Sequence, residues 1–294
     1  MSDAKPDSRL LLVRIRAQEP SLRPSEARIA KLFLADPASA AGLSIAEVAD
    51  RCRTSTTSVV RFCKRIGYGS YRDLRIDLTR EATRESIGAE SGIVDTKDID
   101  RNDRLDEVVA KIALNETLSI ADTARALDLP SLEKAVATLL AARRIDVFGV
   151  GASSVVRLDL QQKLTRIGLT TLGWDDAHSA WTSASVLDSE CVAIAISHSG
   201  ATTDTLAYVK LARKVGATTI VITNFADSPV ALAADIVLTT AARENSFRSG
   251  ALGSRIAQLM VVDCLFTGVA QASYDRSMAS LNRTYSAIVE NSGR

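Results

Sequence analysis

Histidine is nearly absent: the 294 residues hold only His178 and His198. A zinc centre would have to recruit scattered ligands, so no metal site is expected. The four cysteines, Cys52, Cys63, Cys191 and Cys264, have no Cys-x-x-Cys spacing and each falls in an apolar segment. They read as packed thiols rather than a disulfide framework or a metal clip. Although 46% of the chain is apolar, no run of eighteen uncharged apolar residues occurs, and no membrane span is indicated. Leu10 to Val13, cut off by Arg14, is too short for the core of a signal peptide, which makes a cytoplasmic location the expectation. No internal repeat or low-complexity tract is evident.

Acid is scarce at one end. Residues 1–80 carry 15 Lys and Arg against 9 Asp and Glu, whereas the remainder carries 21 against 26. A basic amino-terminal module on a mildly acidic partner domain follows, and the density peaks between Arg51 and Arg80, with eight basic and two acidic residues. Such a cluster is either a solvated helical face or a nucleic-acid footprint.

The first eight residues read as a loose tail. Pro24-Ser25-Glu26 then opens a helix carrying Ile29, Ala30, Leu32, Phe33 and Leu34, ended by Asp36-Pro37. Ser44 and Glu47 have capping-box spacing, which predicts a short helix over 45–51. Ser55 caps a further helix that reaches Ile66, with Gly67 as its stop. On it Val59, Cys63 and Ile66 form an apolar stripe, while Thr57, Arg61 and Lys64 form a polar one. Two short helices joined by a tight turn, the second presenting hydroxyls and then cations, read as a helix-turn-helix. Ser55, Thr56, Thr57 and Ser58 are short enough to bring the backbone near the major groove, and Arg61 reaches a guanine edge or a phosphate. Lys64, Arg65, Ser70, Tyr71 and Arg72 flank them as expected phosphate contacts. The turn lacks a glycine, which leaves Arg53 to take an unfavourable backbone conformation. A three-helix module without DNA-binding function gives the same pattern.

Residues 81–102 read as a linker and divide the helix-turn-helix domain, 1–80, from a second domain, 103–294. Helices are expected over 105–127 and, behind Pro130, over 131–143. From Ile145 strand and helix alternate, with strands near 145–149, 170–173, 191–197, 218–223 and 236–239 and late helices over 248–272 and 274–289. The predicted fold is an all-α domain followed by an α/β domain, a five-stranded parallel sheet with helices on both faces. The unbroken apolar run Cys191–Ile196 is a strand buried on both faces. It ends abruptly in Ser197-His198-Ser199-Gly200-Ala201-Thr202, where Thr203 or Asp204 caps the next helix. A second strand enters Gly149-Val150-Gly151-Ala152-Ser153-Ser154, so two loops face each other across a crevice at the carboxyl ends of the strands. Hydroxyl donors and helix N–H groups there suit a phosphate held without positive charge. Glycine is missing at Ser154, where a dinucleotide fingerprint needs one, so no nucleotide cofactor is expected.

Gly149-x-Gly151-x-Ser153 with Ser197-x-Ser199-Gly200-x-Thr202 resembles the sugar isomerase (SIS) domain, a flavodoxin-like fold whose members bind phosphosugars. The resemblance runs from about Asp103 to Ser273, and His198 departs from it, since a smaller or less basic residue is commoner there. It implies that Ser197, Ser199 and Thr202 hold the phosphate and that Ser153 lies near the sugar, with Gly151, Ser154 and Gly200 expected among the ligand-binding residues. Pro24-Ser25-Glu26, Leu43–Ala49 and Ser58–Tyr68 are similar to the amino-terminal domain of RpiR-family bacterial transcriptional regulators, which pair it with a SIS domain in this order. Three readings stay open. One is a regulator that binds double-stranded operator DNA and a phosphosugar effector. The second is an aldose–ketose phosphosugar isomerase with Glu244 as acid or base; in a sensor Glu244 instead accepts from sugar hydroxyls while Arg248 balances it or pairs with the phosphate, so both are expected ligand-binding residues. The third is an interaction protein with a vestigial pocket. Trp174 and His178 follow a strand toward the crevice, though capping or packing is the favoured role of His178. As a regulator the chain is expected to be a homodimer or homotetramer, joined through the apolar helices over 105–127 and 254–272.

Overall fold

The computed structural model describes residues 11–19, 22–79, 99–242 and 251–291. Two compact units divide the chain, Met1–Leu114 and Asn115–Arg294, with the border inside one long helix. Most of the expected linker and the amino-terminal tail lie outside the described residues.

The first unit is helical: α1 (Leu11–Gln18), α2 (Pro24–Ala35), α3 (Pro37–Ala41), α4 (Ile45–Arg51), α5 (Thr56–Arg65), α6 (71–79) and the start of α7 (Leu105–Ala126). Local chemistry sets these limits. Pro24 opens α2 at a position that needs no backbone donor. Ser44 and Glu47 satisfy each other's backbone N–H at the start of α4, at 3.3 and 2.7 Å. Ser55 caps α5 through the N–H of Ser58 at 3.2 Å. Ile29, Phe33, Val48, Val59, Phe62 and Ile66 form the core, in which the rings of Phe33 and Phe62 meet edge to face at 5.8 Å.

Two helices of this unit escape the sequence pattern. The helix α1 buries Leu11, Leu12 and Ile15, yet arginines interrupt its periodicity. Arg14 is itself used in packing: it lies over the ring of Tyr68, 5.0 Å from its centroid, and donates to its hydroxyl at 2.8 Å, while that hydroxyl donates to Asp77 at 3.1 Å. At the other site Asp36 ends α2 but also takes the N–H of Ser39 at 2.9 Å, so Pro37 starts α3 instead of stopping helical structure.

The second unit holds the rest of α7, then α8 (Leu129–Ala141), β1 (Arg144–Phe148), α9 (Ala152–Arg166), β2 (Thr171–Trp174), α10 (Ala177–Ala184), β3 (Cys191–Ile196), α11 (Thr203–Lys214), β4 (Thr218–Thr223), α12 (Pro229–Leu232), β5 (Ile236–Thr239), α13 (Leu252–Ala272) and α14 (Tyr274–Asn291). Helix α8 begins two residues earlier than expected because Asp128 caps it, accepting the Ser131 N–H at 2.9 Å, and Pro130 lies within its first turn. The five strands are parallel in the order β2-β1-β3-β4-β5, which makes β1 and β3 neighbours and brings their exit loops together.

Strand β3 shows how the layers fit. Val192, Ile194 and Ile196 pack with the α8, α9 and α13 side of the sheet, and Cys191, Ala193 and Ala195 with the α10 and α11 side. The small face leaves room for Tyr208 of α11, wholly buried, whose hydroxyl donates to the Asp146 carbonyl at 3.0 Å. Asp146, also wholly buried, accepts from Arg144 at 2.7 and 2.9 Å, from Trp174 at 2.9 Å and from Ser183. A buried carboxylate is tolerable when its oxygens are filled in this way. Among the described residues α13 alone has the length and hydropathy of a membrane span, but Ala257, Val261, Val262, Leu265 and Val269 bury it in the core.

Candidate functional site

A pocket of about 230 Å³ opens where the β1 and β3 loops meet the start of α13. Its floor is Ser197, buried at the end of β3. The Ser197 hydroxyl receives the Gly200 N–H at 3.2 Å and pairs with the Thr202 hydroxyl at 3.2 Å. Thr202 is the N-cap of α11 but makes no side-chain cap bond, contrary to the cap expected from Thr203 or Asp204. The first-turn N–H groups of α11 are thus left without a capping side chain, which favours an anion. Ser199 and His198 complete the rim. The His198 carbonyl is tied down by Asn224 and Thr223 at 3.1 and 3.2 Å, and its ring meets Phe225 edge-on.

Glycine is required in both loops for steric reasons. At Gly200, φ is +59°, and a Cβ would stand 2.0 Å from the Ser228 hydroxyl. At Gly149 a Cβ would stand 3.0 Å from the carbonyl oxygen of Ile196, so the two loops approach as closely as they do only without a side chain there.

Ser153, Ser197, Ser199 and Thr202 come together in the pocket as expected. Three expected residues, Gly151, Ser154 and Gly200, do not line it. Ser154 turns its hydroxyl back to the Gly151 carbonyl at 2.7 Å, because it lies a residue further around the first turn of α9. Gly151, with φ of +59°, shapes that turn instead of lining the cavity. Glu244 and Arg248 lie outside the described residues. Trp174 is engaged with Asp146, and His178 is exposed with its ring tilted against that of Trp181, so neither lines the pocket.

Ala251, Ser254 and Gln258, which no sequence motif marks, are brought to the far wall by the start of α13. Ser254 and Gln258, one turn apart on the buried face of a largely apolar helix, are the signal the sequence offers. Gln258 lies 3.5 Å from the Ser153 hydroxyl through Oε1, while its Nε2 has no hydrogen-bond partner. Among the described lining residues there is no Lys, Arg, Asp or Glu. The pocket therefore offers hydroxyls, backbone N–H groups and an amide, a donor set for an oxyanion attached to a polyol.

On the first unit, α5 presents Thr56, Thr57, Arg61, Lys64 and Arg65 outward, next to exposed Ser55, and Arg72 is exposed on α6. Three expected contacts have other work. Ser58 is buried, with its hydroxyl on that of Ser55 at 3.1 Å. Ser70 caps α6 by taking the Asp73 N–H at 3.2 Å. Tyr71 donates to the Leu43 carbonyl at 2.9 Å, and burial pushes its phenol up to about 12. Arg53 takes the left-handed conformation its position implied, with φ of +46°.

Comparisons with known proteins agree on both units. Residues 9–85 match the model of the rpiR-family helix-turn-helix domain, and residues 138–268 match the SIS domain. An uncharacterized HTH-type transcriptional regulator of Caldanaerobacter subterraneus subsp. tengcongensis is 38% identical over 274 residues, 93% of this chain and 95% of its own length. The HTH-type regulator YbbH of Bacillus subtilis, also uncharacterized, is 32% identical over 93% of this chain and 95% of its own. Among solved structures, the Vibrio vulnificus NanR protein complexed with ManNAc-6P is similar over 97% of this chain and 100% of its own, with 27% identity and a TM-score of 0.61. The sugar isomerase domain of an RpiR transcription factor from Sphaerobacter thermophilus covers 60% of this chain and 98% of its own, at 24% identity and a TM-score of 0.56. With the capped helix α5 in its helix-turn-helix unit and a hydroxyl-lined crevice in the five-stranded parallel sheet of the other unit, the chain belongs to the RpiR family of helix-turn-helix transcriptional regulators that carry a SIS domain.

Proposed function

We propose that this regulator binds operator DNA through α5 and takes a phosphorylated sugar in the β1–β3 crevice, which changes its hold on DNA. The observation that carries the reading is the neutral donor set of the pocket, Ser197, Ser199, Thr202 and the free first turn of α11. Support comes from NanR, similar over nearly the whole chain and solved with ManNAc-6P. The protein acts in the cytoplasm as a homodimer or homotetramer, and it does not turn its ligand over. Aldose–ketose interconversion needs an acid and a base placed together, and His198 is the one titratable side chain among the described lining residues.

Titration calorimetry of hexose and N-acylhexosamine phosphates against their unphosphorylated counterparts tests the pocket. Ser199→Ala should weaken the phosphorylated form far more than the other, and equal weakening of both places the phosphate elsewhere. On DNA, Arg61→Ala should cost about 1–3 kcal/mol on the preferred site, whereas Lys64→Ala should weaken all duplexes alike. Gel shifts that give one affinity for operator and random duplex would refute the DNA half. NMR detection of aldose–ketose interconversion, lost in Glu244→Gln, would make the protein an isomerase.

A further inference from the structure

The recognition helix is held from behind by a buried acid. Glu26, in the first turn of α2, is only 1% exposed. Its Oε2 accepts the Arg23 N–H at 3.1 Å, and its Oε1 accepts from Nε of Arg61 at 3.1 Å. Arg65 stands 3.6 Å away as a second counter-ion. Both arginines remain well exposed, at 47% and 37%. The bond to Arg61 therefore uses the inner edge of the guanidinium and leaves the outer fork of terminal amino groups out of it.

An arginine reads guanine by presenting that outer fork to N7 and O6. A free arginine would first have to give up the freedom of several rotatable bonds, which opposes binding. One pinned at Nε has lost part of that freedom before DNA arrives, and the plane of its fork is set. The capping function of Glu26 is separable from this one, since glutamine at the same helix position also accepts the N-cap N–H. We propose that Glu26 is a positioning residue for DNA recognition, pinning Arg61 so that it reads one guanine in each operator half-site. The inference rests on α5 being the helix that enters the major groove.

The test is selection of binding sites from a randomised duplex pool by the full-length wild type, Glu26→Gln, Arg61→Ala and Arg61→Lys. The wild type should return a guanine at a fixed position of each half-site. All three variants should lose preference at that position and keep it at the others. Affinity of Glu26→Gln for random duplex should hold or rise, because an anion near the phosphates has been removed. An unchanged site from Glu26→Gln, or a uniform fading of every position, overturns the proposal, the latter by showing a structural role only. Guanine retained by Arg61→Ala or Arg61→Lys overturns it as well, whether or not Glu26→Gln folds. If Thr57→Ala and Lys64→Ala also leave DNA binding intact, the reading of α5 itself fails, which is a distinct result.

Discussion

Arg53 stands where other helices of this chain place glycine. Helices α4, α5, α9 and α11 end in the same paired hydrogen bonds, shown by Thr54 N–H to Ala49 O at 2.8 Å and Tyr68 N–H to Cys63 O at 2.8 Å. The left-handed residue is Gly67, Gly168 or Gly216 in three of them and Arg53 in α4. Arg28 compensates by donating to the carbonyls of Cys52 and Arg53 at 2.7 and 3.1 Å, which clamps the turn between the two helices of the motif. A non-glycine residue costs about 1–2 kcal/mol there, partly offset by the greater flexibility of unfolded glycine. Arg53→Gly should accordingly raise the urea midpoint, by roughly 0.5–1 kcal/mol in stability, and Gly67→Ala should lower it by more. Gln258 poses the opposite trade. The Nε2 of its buried amide has no partner and opposes folding, so Gln258→Met should gain about 1–2 kcal/mol of stability without ligand yet bind the phosphosugar more weakly. A variant that is both less stable and equally tight in calorimetry would remove Gln258 from the binding site.

At the level of elements, β3 makes a prediction from its two unequal faces. Ala195→Ile pushes bulk toward the space filled by Tyr208 and should cost about 1–3 kcal/mol, while Ile194→Val on the opposite face should cost about 0.5–1.5 kcal/mol. Reversal of that order in denaturant unfolding would mean that the alanine face is loosely packed. Both faces were already legible in the run Cys191–Ile196, as were the two loops that build the pocket, because buried parallel strands and phosphate turns write themselves in consecutive residues. What was missed is spread out in space. Helix α1 is paid for by Tyr68 and Asp77, more than fifty residues away, so no local period announces it. Gln258 reaches the pocket from over a hundred residues beyond Ser153. Glu26 was legible as a helix-opening acid, but its bond to Arg61 depends on how α2 and α5 cross.

For the whole molecule, the charge asymmetry places the DNA-binding work in the amino-terminal unit and the neutral pocket in the other, so regulation has to be a coupling between them. A single helix-turn-helix makes few base contacts, and usable specificity requires two copies at fixed spacing on a near-palindromic site. Pairing is expected from the helices over 105–127 and 254–272, where α13 buries Val261, Val262, Leu265 and Val269 in the core and leaves Leu259, Met260 and Phe266 partly exposed. Linkage then sets a strict requirement on the mechanism. Whatever factor the phosphosugar changes operator affinity by, the operator must change phosphosugar affinity by the same factor, since the two binding free energies share one coupling term. We expect a dimer or tetramer by light scattering, and a change of about 5-fold or more in operator affinity at saturating ligand, in either direction. Calorimetry of the ligand with and without saturating operator should return that same factor. A monomer, or a ligand that binds tightly and leaves operator affinity untouched, would show two domains that share a chain but not a mechanism.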